Sequence, residues 1–290
     1  AQDDWDLPIN RILHTETPCY YRYGESGETE EAFATRLADI LDQQITNEDP
    51  DTVAAFIAEP VMGAGGVMTP PKTYFEKIQK VLKKYNILLI ADEVICGFGR
   101  TGNMWGSDTY GIKPDLLTCA KQMSSAYFPI GAVMLSEPIY QSFVENSRKL
   151  GVFGTGNTYG GHPVAAAVAL ETLKIYEDDD ILGHLVNISG HFQKRLAELS
   201  KHKLVGEARG VGLIGGLELV ANKKTRKQFP EASKASVTAT EKILGQNLIL
   251  RPLPGDVIGI CPPLIITEQE IDDIFDRTIR GLDEAEVALR

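Results

Sequence analysis

The 290-residue sequence has no uninterrupted apolar run of membrane-spanning length, and its first residues, AQDDWDLP, are acidic. A helix needs about 20 consecutive apolar residues to cross a bilayer, and a secretory signal begins with basic residues followed by an apolar core. We therefore expect neither a membrane anchor nor an export signal. The expected location is the cytoplasm.

Basic residues are in the minority, because 29 Lys and Arg stand against 40 Asp and Glu, a formal net charge of −11. Binding to nucleic acid or to an anionic membrane surface requires clustered Lys and Arg. The charge balance therefore predicts that neither nucleic acid nor a membrane is a partner of this protein.

Cysteine and histidine are scarce and scattered. The four cysteines form no CxxC pair, and the five histidines form no HExxH arrangement. These spacings give no support for a zinc site or for a dense disulfide framework, and they fit a reducing compartment. We predict no metal. The pattern GxxxxGK[ST] is also absent, so a P-loop nucleotide site is unsupported.

Two glycine runs, GFGRTG at 97–102 and GVGLIG at 210–215, have the GxGxxG spacing of dinucleotide-binding turns. Such a turn must follow a strand and open a helix. The first run is followed by NMWGSD, where we expect no helix, and the second continues as an apolar, strand-like segment. A dehydrogenase is therefore not favoured.

Alternating strand-like and helix-like patterns place the chain in the α/β class. It is 43% hydrophobic and 24% charged, typical of a globular protein, and long enough for two domains. Strand, helix and strand at 53–61, 72–85 and 87–91 predict a right-handed parallel crossover. We also expect helices at 29–45, 137–150, 163–176, 178–199, 233–244 and 267–289, and strands at 116–120, 131–136, 248–251, 257–261 and on either side of Gly210.

The pattern changes near residue 177, where long helices and short strands replace the sheet-forming runs. We predict a large sheet domain at residues 1–176 and a smaller C-terminal α+β domain at 177–290. The final helix has Thr267 with Glu270 three residues later, which is the pattern of a capping box.

Two apolar runs, 87–91 and 116–120, end at Asp92 and Lys121. Neighbouring parallel strands would hold the carboxylate and the amine over one sheet edge, where open α/β sheets bind ligands. A buried lysine beside a carboxylate can form an imine with pyridoxal phosphate while the carboxylate keeps the pyridine nitrogen protonated. The alternative is that Asp92 caps a turn and Lys121 is a solvated surface lysine. The spacing alone leaves both interpretations open.

The run LLIADEVICGFGRTG, the later KPDLLTCAKQMSS and the following GNTYGGHP resemble the signature of class III aminotransferases, pyridoxal phosphate enzymes of fold type I. The resemblance extends from about Tyr20 to the C-terminus. It implies a three-layer, mostly parallel large domain with a smaller C-terminal domain. It also implies that Lys121 forms the Schiff base, that Asp92 pairs with the pyridine nitrogen, and that Val94 packs against one ring face.

The same resemblance implies roles for three further residues. Thr158 would reach the phosphate of the neighbouring subunit's cofactor, so a homodimer is expected. Glu59 is either a polar cap on its strand or a carboxylate close to the cofactor. Arg251 is similar to an arginine that pairs with a substrate carboxylate, for which its guanidinium fork is suited, and its alternative is a surface salt bridge. We expect Arg100 to be structural or interfacial.

The function implied is transfer of an amino group from an amine or ω-amino acid to a keto acid, with pyruvate the expected acceptor. The freed amine of Lys121 would act as general base and acid, moving a proton from the substrate α-carbon to the cofactor. β-Alanine, taurine, diamines and aryl-alkyl amines all remain open as donors. Two alternatives stay open as well: another fold type I enzyme, such as an aminomutase, racemase or decarboxylase, and a non-catalytic dimerising or binding module.

One departure from the family is clear. Its members carry, ahead of the matched region, a portion with a Gly-Ser/Ala phosphate loop at a helix N-terminus and an aromatic residue that stacks on the ring. A helix N-terminus is a natural phosphate anchor. We therefore expect these 290 residues to be part of a longer subunit, and to bind the cofactor poorly when isolated.

Overall fold

A computed structural model describes Leu7 and residues 9–289. This part of the chain divides into two compact units. The smaller unit contains the described residues up to Ala55 together with Pro70–Ile87, and the larger contains Phe56–Thr69 and the described residues from Leu88 onward. The sequence-derived division at residue 177 remains a prediction.

The smaller unit is helical, with α1 at Tyr20–Tyr23, α2 at Glu30–Asn47 and α3 at Tyr74–Lys84. The hydroxyl of Thr29 accepts a hydrogen bond from the Ala32 N–H and caps α2. Apolar residues of α2 recur every four positions and are buried, so one face of the helix packs against α3. These buried residues include Phe33, Leu37, Leu41 and Ile45.

A mixed sheet in the larger unit carries the residues of interest. Its strands are β1 at Ala55–Ala58, β2 at Leu88–Asp92, β3 at Leu116–Cys119 and β4 at Ala132–Leu135, in the spatial order β1-β2-β3-β4. Strands β2 and β3 are parallel, as the two apolar runs predict, whereas β4 is antiparallel to β3. The carboxyl ends of β2 and β3 therefore lie at the same edge.

Three helices follow along the chain: α4 at Gly106–Tyr110, α5 at Glu137–Leu150 and α6 at Pro163–Asp178. The expectation that NMWGSD contains no helix is wrong at its end, because α4 begins at Gly106. The buried carboxylate of Glu93 explains this turn, since it accepts hydrogen bonds from the N–H groups of Gly106 and Ser107. Among the described residues, every helix is too short or too polar to cross a bilayer.

The C-terminal part of the larger unit contains an antiparallel sheet in the order β5-β6-β8-β7. Its core is formed by apolar side chains of this sheet and of its helices, among them Leu185, Phe192, Leu217, Ile258 and Phe275. The elements are α7 at Ile181–Leu199, β5 at Val205–Val211, β6 at Ile214–Leu219, α8 at Ala235–Gly245, β7 at Arg251–Leu253, β8 at Val257–Ile260 and α9 at Glu268–Leu289.

Small shifts of up to three residues aside, two strand positions in this part differ from the sequence prediction for reasons that the structure gives. The β5–β6 turn centres on Gly212, not Gly210; Gly212 has a positive φ of 54°, and a Cβ there would lie 2.6 Å from the Arg100 carbonyl oxygen. Strand β7 begins at Arg251, not at 248, because the chain from α8 continues through a turn with Asn247 at φ 58°. The capping box of α9 is confirmed, since Glu270 accepts from the backbone and hydroxyl of Thr267.

Candidate active site

Asp92 is the last residue of β2, half-buried and opposite Thr118 of β3 in the parallel register. Its Oδ1 accepts hydrogen bonds from the Val94 N–H at 3.0 Å and from the Thr118 hydroxyl at 3.2 Å. Both bonds use the same oxygen, and Oδ2 accepts none from the described residues. The carboxylate is therefore held in orientation while one oxygen remains available to an external donor.

Lys121 lies two residues beyond the end of β3, at the start of a 3-10 turn that extends to Ser124. Its backbone is left-handed, with φ 46°. A non-glycine residue in this region is strained by about 1–3 kcal/mol and persists only where its surroundings fix it. Here the Met123 N–H donates to the Ala120 carbonyl, and the buried Ser124 hydroxyl donates to the Phe128 carbonyl at 2.6 Å.

The side chain of Lys121 is exposed, whereas a cofactor lysine is expected to be buried. Its amine forms no hydrogen bond or ion pair with the part of the chain that the structure describes. The amine is therefore available to an external group beside the edge where Asp92 ends its strand.

Glu59 follows β1 and joins these two residues electrostatically. Burial raises the pKa of its carboxyl, a hydrogen bond from the Gly63 N–H at 2.9 Å lowers it, the charge of Asp92 raises it and that of Lys121 lowers it. Glu59 thus lies within electrostatic reach of both side chains. The charges of Asp92 and Lys121 therefore both act on Glu59, while the chemical roles of the three residues remain predictions.

The other predicted site residues lie elsewhere or have only a backbone link. Val94 is half-buried and touches Asp92 through its N–H, so its packing on a ring stays a prediction. Thr158 is exposed in the turns between α5 and α6. Arg251 is exposed at the start of β7, opposite Gly259 in the second sheet. Among described residues, neither Thr158 nor Arg251 is hydrogen-bonded or ion-paired to Asp92.

Arg100 has the structural role expected of it. Its Nη1 donates to the Leu213 carbonyl at 2.9 Å and to the Pro262 carbonyl at 2.7 Å, which ties the glycine-rich 97–102 segment to the second sheet. Burial lowers the pKa of this guanidinium. The bonds to two carbonyl oxygens satisfy its Nη1 donors in place of water.

Two residues important to this edge were missed from the sequence. Thr118 orients Asp92, and its signal is a polar residue inside the apolar run LLTCA. Glu93 is fully buried and accepts from Gly106 and from both the N–H and hydroxyl of Ser107. Its signal is a second acidic residue directly after a buried strand.

The donor set fits pyridoxal phosphate. A protonated pyridine nitrogen needs a carboxylate with a free oxygen, which Asp92 provides, and the carbonyl carbon needs an accessible amine, which Lys121 provides. Within the described residues, no three His, Cys, Asp or Glu side chains come together as a metal ion would require.

Comparison with known proteins gives the same family throughout. The family model described as aminotransferase class-III matches residues 2–282. A probable gamma-aminobutyrate transaminase 4 of Oryza sativa subsp. japonica is 49% identical over 99% of this chain and 60% of its own length. A mitochondrial gamma-aminobutyrate transaminase 1 of Solanum lycopersicum is 49% identical over 98% of this chain and 55% of its own length. The chain thus spans little more than half of these relatives.

Solved structures agree with the sequence relatives. A structure described as a transaminase with L-ala superposes with a TM-score of 0.96 and 52% identity, over 99% of this chain and 67% of the other. An omega transaminase from Pseudomonas jessenii in complex with PMP superposes with a TM-score of 0.96 and 46% identity, over 99% and 63%. These similarities confirm the α/β fold expected from the sequence. The chain belongs to the class III aminotransferase family.

Proposed function

We propose that this chain carries the acid and amine centre of an aminotransferase that moves an amino group from an ω-amino acid or amine to a keto acid. One observation carries the proposal: Asp92 ends β2 and Lys121 follows the parallel neighbour β3 by two residues, the carboxylate with one oxygen and the amine both free of hydrogen bonds from the described residues. The family's cofactor is pyridoxal phosphate, and a solved relative holds its aminated form, PMP.

Pyridoxal phosphate supplies, when bound, an electron-withdrawing ring that stabilises negative charge on the substrate α-carbon. Asp92 would keep the ring nitrogen protonated through Oδ2, while Thr118 and the Val94 N–H hold its other oxygen in place. Lys121 would hold the cofactor covalently through Nζ and, once released, would move the proton from the α-carbon as general base and acid.

The relatives favour amino transfer over the alternatives of an aminomutase, racemase or decarboxylase. The curated relatives reported above are named gamma-aminobutyrate transaminases, so an ω-amino acid with a terminal amine is the proposed donor. The structure described as a transaminase with L-ala supports pyruvate as acceptor, because alanine is the product of aminating pyruvate. Arg251 is proposed to bind the substrate carboxylate.

A homodimer is proposed, with Thr158 contributing to the neighbouring site. Support comes from an exposed stretch in which residues 148–161 are all accessible and include Leu150, Phe153 and Tyr159. Tyr159 is 79% exposed, and an open groove of about 710 Å³ along α5, which includes Phe153, is lined mainly by apolar side chains. Large exposed apolar patches mark interaction sites. The test is light scattering of the complete subunit, for which we expect twice the mass of one subunit; the mass of a single subunit would contradict the dimer.

The proposed compartment is the cytoplasm. Among the described residues, Cys19, Cys96, Cys119 and Cys261 form no disulfide, as in a reducing environment. Several relatives are named as mitochondrial. Fractionation of cells that express the complete gene product distinguishes the two locations.

The test is reconstitution with pyridoxal phosphate, followed by addition of an ω-amino acid. A visible absorbance band that shifts on addition of donor, together with alanine formed from pyruvate, supports the proposal. A band that shifts without transfer to any keto acid favours a different enzyme of the same fold type. Absence of a band in the complete subunit favours a non-catalytic module.

A further inference from the structure

Arg209 is a buried arginine of β5 that lies outside the proposed catalytic pair. Its Nη1 donates to the carboxylates of Glu207 and Glu218, each at 2.6 Å. Its Nε and Nη2 point the other way and donate to the carbonyl oxygens of Gly66 and Val67, with Nη2 at 2.7 Å from Gly66. One guanidinium thus connects the second sheet to the loop that follows β1.

Burying an ion pair of this kind costs free energy, because both charges lose their water. The pair is stable only when its hydrogen bonds are satisfied. Arg209 is 7% exposed and Glu218 is 1% exposed. The carboxylates of Glu207 and Glu218 hold the guanidinium at its end nearer the second sheet. Its remaining donors are therefore held in a defined direction, toward the loop.

The loop itself is strained where Arg209 binds it. Val67 is 1% exposed and has a left-handed backbone, with φ 49°, and Gly66 before it has φ 125°. Positive φ is a genuine outlier for a β-branched residue such as valine. The ends of the loop are closed by Met62 and Met68, which exchange backbone hydrogen bonds at 3.0 and 3.1 Å. The contact from Nε to the Val67 carbonyl falls on the strained residue itself.

The other end of this loop contacts Glu59, which lies near the sheet edge where Asp92 ends β2; we call this edge the active-site edge. The Gly63 N–H donates to the Glu59 carboxylate at 2.9 Å, and Glu59 is the residue within electrostatic reach of Asp92 and Lys121. Gly63 also lies against Ile95, so closely that a Cβ on it would be 2.6 Å from the Ile95 Cδ1. A shift of the loop would therefore move both Glu59 and the segment that carries Val94.

We propose that Arg209 is a positioning residue that holds the strained 62–68 loop against the active-site edge and so sets the place of Glu59 beside Asp92 and Lys121. The proposal rests on the proposed function. Strain at functional sites is retained where the surrounding structure over-determines it. Arg209, anchored by Glu207 and Glu218, supplies that constraint from the second sheet.

The test compares Arg209→Met with Arg195→Met in the complete subunit. Arg195 is a matched control, because it lies in the same unit and forms ion pairs with Asp272 and Asp276 but donates to no loop carbonyl. The first readout is hydrogen–deuterium exchange of the 62–68 amides without cofactor. The second is the dissociation constant of pyridoxal phosphate, measured by absorbance titration.

We expect the loop amides of Arg209→Met to exchange at least about tenfold faster, and the cofactor to bind about tenfold more weakly. Arg195→Met should change neither. Should Arg209→Met fail to fold, Arg209→Lys carries the same two readouts, because lysine keeps the charge but cannot span carboxylates and carbonyls with a planar fork.

The outcomes separate the two proposals. Unchanged loop exchange, or unchanged cofactor affinity in a substituted protein that folds, overturns the role of Arg209. If the unsubstituted subunit binds no pyridoxal phosphate, the proposed function fails, and the positioning role fails with it. Equal effects of the Arg195 and Arg209 substitutions on both readouts also overturn the role, because they indicate general destabilisation.

Discussion

Asp92 and Thr118 face each other across the parallel pair β2 and β3, and the threonine hydroxyl donates a 3.2 Å hydrogen bond to the aspartate Oδ1. The Val94 N–H donates to the same oxygen at 3.0 Å, so among the described residues Oδ2 remains without a donor. Orientation of this carboxylate is thus built into the sheet register.

The first prediction concerns this hydroxyl. Thr118→Val keeps the shape of the side chain but removes its donor, and one such hydrogen bond to a charged group contributes about 1.5–3 kcal/mol. Since the lost bond orients Asp92 and does not bind the cofactor itself, we expect roughly tenfold weaker pyridoxal phosphate binding in an absorbance titration. Thr118→Ser should restore most of the affinity.

Thr172→Val is the matched control for this change. Thr172 is a buried threonine of α6 whose hydroxyl donates to the Val168 carbonyl of its own helix. Its substitution should leave cofactor affinity unaltered. Equal losses in the two valine variants would contradict an orienting role for Thr118.

The second prediction concerns Lys121. Lys121→Ala removes the proposed base and the proposed covalent attachment, so transfer from donor to pyruvate should fall by at least about 10³-fold. Lys194→Ala, at an exposed lysine of α7, should retain full activity. The measurement is alanine formation under saturating donor. Substantial turnover by the Lys121 variant with cofactor bound would refute the assignment.

The third prediction addresses Arg251. If its guanidinium binds the substrate carboxylate, Arg251→Met should raise KM for an ω-amino acid about tenfold or more and leave KM for an amine without a carboxylate unchanged. Arg280→Met on α9 serves as control, because Arg280 is an exposed arginine that donates a hydrogen bond to Gln246 at the surface. A parallel rise in KM for both donors would exclude carboxylate recognition by Arg251.

The fourth prediction concerns stability and pH at Glu93. Burial raises the pKa of this carboxyl above 4.5, although hydrogen bonds from Ser107 and Gly106 lower it in part. The folded state therefore binds the proton more tightly than the unfolded state. The resulting stabilisation is present below pH 4.5 and is lost as the pH rises through the folded pKa. The urea midpoint of the unsubstituted protein, relative to that of Glu93→Gln, should therefore fall as the pH rises from 4.5 through the folded pKa.

Glu270 provides a control of opposite sign. The backbone and hydroxyl of Thr267 lower the pKa of the Glu270 carboxyl, so its stabilisation is present above pH 4.5 and is lost as the pH falls. The urea midpoint of the unsubstituted protein, relative to that of Glu270→Gln, should therefore fall as the pH is lowered. The same pH trend in both comparisons would show that the Glu93 effect is not specific to its burial.

Sequence patterns predicted the strands that matter most, because β2 and β3 are short apolar runs bounded by polar residues. Their carboxyl ends, and with them Asp92 and Lys121, follow from that pattern and from parallel pairing. The spacing of Asp92 and Lys121 alone fitted both a cofactor site and a capped turn. The family resemblance favoured the cofactor site. Asp92 in fact also binds the Val94 N–H, as the capping alternative expects.

Other features depended on tertiary contacts and could not be predicted. The start of β7 at Arg251 is set by pairing with β8, and the turn at Gly212 by its close approach to Arg100. The links from Arg209 to Gly66 and Val67 join residues more than 140 positions apart, and no local pattern indicates them. The positive φ of Lys121 is equally unexpected, since lysine has no preference for that conformation.

Under the proposed function, the left-handed backbone of Lys121 sets the needs of chemistry against those of folding at a single position. Any residue with a Cβ is disfavoured there, and glycine is the one that fits the backbone freely. Glycine has no side-chain amine, however. The residue that would relieve the strain in the turn would therefore also remove the proposed catalytic group. Evolution toward greater thermal resistance is thus expected to spare this strain and to find its gains elsewhere in the protein.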